Sequence, residues 1–249
     1  MSINISFENN LFTINKLALP SRYYFFNEEQ KYIKLLTIGE GLFPKDRIRT
    51  DILLQNSDVV FSTESATKIY PSKKEYAISK IKIELENSNI EFINDELILH
   101  KGAKFIQVVT LHACENSTFF YCDVLSSGRS YEEFEFSEFS AKNSFKIDGK
   151  VEYLEKYSVT NDYLKSYLEN QTNPNKLFAK IYIKPNDNEK FLESLNKHRF
   201  NTFSYTKSKQ MIIGVLSANN MFALKKSIKD IWKIYRVDLQ KKEFNLGKQ

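Results

Sequence analysis

The dipeptide Asn-Ser occurs at Asn56-Ser57, Asn87-Ser88, Asn116-Ser117 and Asn143-Ser144, at spacings of 31, 29 and 27 residues. Each copy sits between strand-like stretches, which constrains the fold more than any other feature of the chain. Ahead of the second copy, Ile81, Ile83 and Leu85 alternate with Lys80, Lys82, Glu84 and Glu86, the period-2 pattern of a strand with one buried and one wet face. Ahead of the first, Ile48, Ile52 and Leu54 oppose Arg47, Arg49 and Asp51. Ahead of the third, Phe105 to Ala113 is apolar on both faces, the pattern of a covered strand. A second apolar stretch follows each copy: Val59-Val60-Phe61, Ile90-Glu91-Phe92, Phe119-Phe120-Tyr121 and Phe145-Lys146-Ile147. Asn tolerates the left-handed conformation of a tight turn, and Ser bonds its own backbone there. The expected unit is therefore strand, Asn-Ser turn, strand, recurring about every 30 residues.

Units of this size cannot bury a face alone and must stack. The fold class expected is mainly β, with stacked β-helix-like layers over residues 1–160 and a small α/β element packed on them over 161–249. An aromatic content of 14% suits pleated, half-buried surfaces. Beyond residue 160, Asn161 to Lys176 reads as a polar linker with a short helical turn, and Phe178 to Ile183 as a strand. Asn188 to Lys197 reads as a helix, and Asn201–Tyr205 with Gln210–Leu216 as a hairpin across Lys207-Ser208. Asn220 to Val237 is a strongly amphipathic helix capped by Asn219 or Asn220.

The chemistry-bearing motifs are sparse. There is no Gly-rich phosphate loop, HExxH or paired CxxC, and with 7 glycines a backbone-cradled dinucleotide site is not expected. No nucleophile–base arrangement carries a sequence signal, so no catalytic residue is assigned and the chain is read as a non-enzyme. Asp95-Glu96 is the one acidic pair beside apolar strands, and adjacent strand residues point apart. Glu132, Glu133 and Glu135 alternate with Phe134 and Phe136, the pattern of a strand with a wet face. His112 and Cys114 would share one strand face with Cys122 across the next turn, which allows weak, transient contact with a borderline metal. The bland alternative is a packed pair in a buried strand.

The net charge is +5, without a basic stripe, so no nucleic-acid partner is expected. No apolar run reaches the roughly 20 residues a membrane helix needs, and MSINISFENN is no signal peptide. A cytoplasmic protein with reduced thiols is expected.

One segment is more specific. Gly39-Glu40-Gly41-Leu42-Phe43-Pro44-Lys45-Asp46-Arg47 is followed by Ala66-Thr67-Lys68-Ile69-Tyr70, then by Gly102-Ala103 and Gly128-Arg129, with a Trp232-to-Arg236 helix near the end. This order resembles the urease accessory protein D family, also called H in some bacteria. Family members carry Gly-Gly where this chain has Pro44-Lys45, and a longer stretch after the Gly-Arg pair. The resemblance implies Asp46, Arg47, Ala66, Thr67, Lys68, Tyr70, Gly102, Gly128 and Arg129 as family-motif positions. It also implies a non-catalytic scaffold that binds the urease apoprotein and accessory proteins F and G while nickel is delivered. Nickel would be in transit rather than a tightly bound cofactor, moving through a wet internal passage in which Thr110, His112, Gln107 or Glu91 could stand. The competing reading is an unrelated β-solenoid that binds carbohydrate or protein, with Arg22-Tyr23-Tyr24-Phe25-Phe26 as its stacking surface or simply an edge strand.

Overall fold

A computed structural model describes residues 2–129, 131–172 and 174–247. In chain order the elements are β1 (Ser2–Glu8), β2 (Leu11–Ala18), β3 (Ser21–Asn27), β4 (Lys31–Thr37), β5 (Arg47–Gln55), β6 (Asp58–Thr63), β7 (Thr67–Ile69), β8 (Ala77–Glu86) and β9 (Asn89–Leu99). There follow β10 (Lys104–Ala113), β11 (Thr118–Ser126), β12 (Glu138–Ile147), β13 (Lys150–Thr160), α1 (Asn161–Glu169), β14 (Leu177–Lys184), α2 (Asn188–Lys197), β15 (Phe203–Tyr205), β16 (Ile212–Ala218) and α3 (Met221–Asp238).

From β4 to β12 the chain alternates between two sheets and makes about four turns of a β-solenoid. Sheet A has the order β13-β12-β10-β8-β5-β1-β2, and sheet B the order β15-β16-β14-β11-β9-β6-β4-β3, with β7 pairing β9. The central strands of both sheets are parallel. Antiparallel strands close each stack, β2 and β3 at one side and β13 and β14 at the other. Beyond β14, sheet B continues into β16 and β15, so the segment after residue 160 is hydrogen-bonded into the solenoid's own sheet.

Three of the Asn-Ser copies form the corners that pass from sheet A to sheet B. Asn56 and Asn87 take positive φ, 46° and 45°. Their serines make a ladder between coils: Ser57 N–H donates to Ser88 Oγ at 3.0 Å, and Ser88 N–H to Ser117 Oγ at 3.2 Å. The fourth copy does not turn. Asn143 and Ser144 lie inside β12, and the chain reverses instead at Asp148 and Gly149 (φ 46° and 75°), a two-residue hairpin that needs positive φ at both positions. Phe145 to Ile147 is thus the end of the same strand.

Three further expectations are corrected. Asn161 to Glu169 is a nine-residue helix, not a linker with one turn. Glu132 to Phe136 is not a strand: Phe134 takes a φ of 56°, and both phenylalanines plug the core from a loop. β10 has no covering layer on its outer face, where Ile106, Val108, Thr110 and His112 are half-buried between β8 and β12.

The interior has three apolar regions. One fills the sandwich beside the Asn-Ser corners, around Phe7, Ile52, Ile83, Phe92, Leu111 and Phe119. A second fills its opposite end, around Leu42, Leu99, Phe105 and Phe139. The third lies outside sheet B, under α2 and α3. Here Glu91 is fully buried and is ion-paired with Arg236 at 2.6 Å and Lys241 at 2.8 Å, and Trp232 Nε1 donates to it at 2.6 Å. Buried charge is tolerable only when paired in this way. Glu91 therefore anchors α3 rather than lining the sandwich interior.

Candidate functional site

The four connections that return from sheet B to sheet A lie opposite the Asn-Ser corners, and every family-motif position falls on them or at their edges. Asp46 and Arg47 end the connection from β4 to β5; Ala66, Thr67, Lys68 and Tyr70 belong to that from β6 to β8. Gly102 turns β9 into β10, and Gly128 and Arg129 begin the loop from β11 to β12. Residues up to 83 apart in sequence are thereby gathered at one end of the stack.

Local chemistry explains these residue types. Asp46 Oδ2 accepts the Phe43 N–H at 2.9 Å, and its own N–H donates to the Phe43 carbonyl, which closes the turn ahead of β5. Gly41 (φ 146°) runs so close to β7 that a Cβ would stand 2.4 Å from the Lys68 carbonyl oxygen, to which Leu42 N–H donates. The Tyr70 ring stacks on Phe43 (4.5 Å, 9°) and meets His100 edge-on at 4.9 Å, while its hydroxyl donates to Glu40. Arg129 pairs with Glu132 at 2.5 Å, and Glu132 also accepts the Arg129 N–H. Burial, followed by the Arg129 charge, lowers the pKa of His100.

Beneath these loops, between the two apolar regions of the sandwich, lies a cavity of about 340 Å³ with both apolar and polar walls. It reaches the surface among exposed Gly39, Glu40 and Lys68, with Ala66 and Thr67 beside them. Its walls carry Thr50, Ser79, Gln107 and Asn143 from sheet A, and Thr63, Asn94, Asp95, Asp123 and Lys180 from sheet B. Asp123 is central. It accepts from Asn94 Nδ2 at 2.9 Å, Tyr121 OH at 3.0 Å and Gln107 Nε2 at 2.8 Å. Burial pushes its pKa up to about 6 despite these three donors. At the β13 edge, Glu155 accepts from Tyr182, Asn143 and Lys180. Burial opposes its charge, but those donors outweigh burial and hold its pKa below the usual carboxylate value. The Oδ1 of Asn143 is buried without a protein partner, an acceptor left for a donor or cation inside the cavity.

Of the polar residues expected inside, only Gln107 lines this cavity. Thr110 and His112 face outward from sheet A, and the burial of His112, then nearby Lys146, lowers its pKa. Cys114 lies beyond the end of β10. Cys122 faces the helices on the far side of sheet B. The structure thus separates the three. Among the described residues no group of three or more His, Cys, Asp or Glu side chains is placed to hold a metal ion. Asp95 lines the cavity, and Lys225 of α3 reaches both Asp95 (3.5 Å) and Glu96 (3.0 Å). Asp123 had a readable signal in the sequence: a lone acid inside the apolar run from Phe119 to Leu125.

These features define a two-sheet β-solenoid with a partly polar chamber that opens among its own loops. The sequence model described as UreD urease accessory protein matches residues 20–246. A protein of Aliarcobacter butzleri (strain RM4018) named urease accessory protein UreD is 56% identical over 250 residues, covering 100% of both chains. Proteins of the same name from Bacillus sp. (strain TB-90) and Staphylococcus epidermidis (strain ATCC 12228 / FDA PCI 1200) are 33% and 26% identical. The first alignment covers 43% of this chain and 41% of that relative, the second 75% and 69%. The chain belongs to the UreD urease accessory protein family.

Proposed function

We propose that this chain is an accessory factor in urease maturation, acting as a non-catalytic scaffold with the urease apoprotein and accessory proteins F and G, and that its cavity is a wet route for nickel. The observation that carries this reading is the coincidence of the motif-bearing loops with the mouth of a chamber lined by Asn, Gln and Asp. A cargo ion in transit needs ligands it can leave. Carboxylates of Asp123 and Asp95 among amide and hydroxyl oxygens are a weak, hard donor set, whereas a thiolate or imidazole cluster would hold a borderline metal tightly. Asp123, with a pKa of about 6, is mostly ionised at neutral pH and supplies the negative charge. The scaffold itself needs no nucleophile.

The test is urease activation in cells whose own copy is replaced by a variant, with nickel per urease active site as the readout. Asp123→Leu is expected to lower nickel loading at least severalfold while the chain still co-purifies with its partners. His112→Val with Cys114→Ala, away from the cavity, is expected to load normally. A folded Asp123→Leu protein that loads urease like the parent would overturn the route.

A further inference from the structure

Among the described residues no helix is packed on the outer face of sheet A: α2 and α3 lie against sheet B, and α1 packs Leu164 and Leu168 against the region around Phe105 and Phe139. Register places Arg49 directly opposite Lys80, Lys80 opposite Val108, Val108 opposite Lys142, and Lys142 opposite Lys156. A single row across β5, β8, β10, β12 and β13 therefore reads cation, cation, valine, cation, cation. All four cations are exposed. Like charges directly opposite in a sheet repel, and sheets usually set opposite charges there. The neighbouring row obeys that habit, with Asp51 opposite Lys82. Arg49 is paired along its own strand with Asp51 at 2.7 Å, but among the described residues Lys80, Lys142 and Lys156 have no carboxylate partner. The primary sequence hides this lane, because its four members are spread over 108 positions.

We propose that this lane is a docking surface for an acidic face of a partner protein. Strands lie about 4.8 Å apart, so the lane offers two pairs of cations at that spacing, separated by an apolar gap of about twice the distance. Carboxylates at i and i+3 or i+4 on a helix stand about 5–6 Å apart, which matches each pair, and an apolar residue between two such pairs would meet Val108. A polyphosphate chain suits the lane less well. Asp51 stands in the next row beside Arg49 and would repel continuous negative charge there, whereas a protein face can place its own cation against it. The proposal is independent of the nickel route, since the lane lies outside the chamber.

The full chain is titrated into a fluorescein-labelled helical peptide with two Glu pairs at i, i+3 flanking a central leucine. Lys80→Glu/Lys142→Glu is expected to weaken binding at least tenfold. Lys226→Glu/Lys229→Glu on α3, which changes net charge equally, is expected to weaken it less than threefold. The lane variant should keep or raise its melting temperature, because it removes a repulsion, so lost binding cannot be blamed on unfolding. Equal loss in both variants, or no binding by the parent chain, refutes a specific lane. Lane-dependent binding to duplex RNA or to phosphatidylserine vesicles that exceeds peptide binding refutes the partner class. In the complex with urease apoprotein, acetylation footprinting should show Lys80, Lys142 and Lys156 protected. Complex formation with all three fully labelled would sink the docking surface while leaving the maturation role intact.

Discussion

Arg236→Met tests the claim that one buried ionic knot fastens α3 to the solenoid. Arg236 is 4% exposed, and Glu91 is wholly buried. Arg236 Nη1 donates to Glu91 at 2.6 Å, Nε donates to the Lys242 carbonyl, and Nη2 reaches Gln30 at 3.1 Å. Methionine preserves much of the volume but removes the charge. Breaking a buried pair from one side typically costs about 3–5 kcal/mol, since the remaining ion keeps its desolvation penalty. Lys241 and Trp232 still face Glu91, so the low end of that range, about 3 kcal/mol, is expected. For a chain of this length that corresponds to a fall of roughly 6–12 °C in melting temperature. Lys241→Met should cost less, about 1–2 kcal/mol, because that side chain retains some exposure and can be replaced by water.

Urea unfolding of the parent, Arg236→Met, Glu91→Leu and the double variant closes a cycle. The double variant should be less destabilised than the sum of the two single variants by at least about 2 kcal/mol, because it leaves no orphaned carboxylate under the helix. Additive losses, or a single Arg236→Met loss below about 1 kcal/mol, would refute the knot. The apolar contacts of Trp232, Ile231 and Ile228, with the Lys225 pairs to Asp95 and Glu96, would then carry the attachment of α3.

Asp123 makes stability depend on pH in a definite direction. Its folded pKa of about 6 exceeds its ordinary 3.8, so the folded chain keeps a proton that the unfolded chain has lost, and stability falls as pH rises from about 4 to about 6. Asp123→Asn should remove roughly 2–3 kcal/mol of that fall, seen as a flatter melting-temperature profile over that window; parallel profiles would refute the assignment. Ser88→Ala should cost about 1–3 kcal/mol by orphaning the Ser57 N–H, with faster hydrogen exchange at Ser57 as the local readout. Gly41→Ala should cost about 1–3 kcal/mol by forcing a side chain into a left-handed conformation against the Lys68 carbonyl, and protease cleavage near β7 should increase.

The solenoid was readable because period-2 alternation and turn asparagines are local signals. α2 and α3 were readable for the same reason, each with a side-chain cap, from Asp187 and Asn220. What failed was non-local. Asn143-Ser144 looks like the other corners, but Asp148-Gly149 sits close behind and offers a tighter reversal. β10 is apolar on both faces, so parity alone could not say which side Gln107 takes. Parity did exclude one combination: Gln107 and His112 are an odd number of positions apart and cannot share a face. Glu91 resembled a cavity residue until α3, more than 130 positions later, supplied its partners. The motif positions were legible as a set through the family resemblance, but their gathering at one end required the coil register.

The two ends of the stack differ in build on physical grounds. At the Asn-Ser end each corner repeats the same hydrogen bonds to the next coil, and the sandwich behind it is apolar, so every coil stabilises its neighbour. At the opposite end no connection repeats another: one carries an Asp-closed turn, one an added strand, one a glycine turn and one an aromatic-plugged loop. On that side of the main apolar region polar side chains line a cavity in the interior, at Thr50, Ser79, Gln107 and Asp123. A solenoid can tolerate such residues because nearest-neighbour pairing at the regular end holds each coil in register. Irregular loops and a cavity can then be built at the other end, with the core beneath them closed again by Phe105, Phe134 and Phe139.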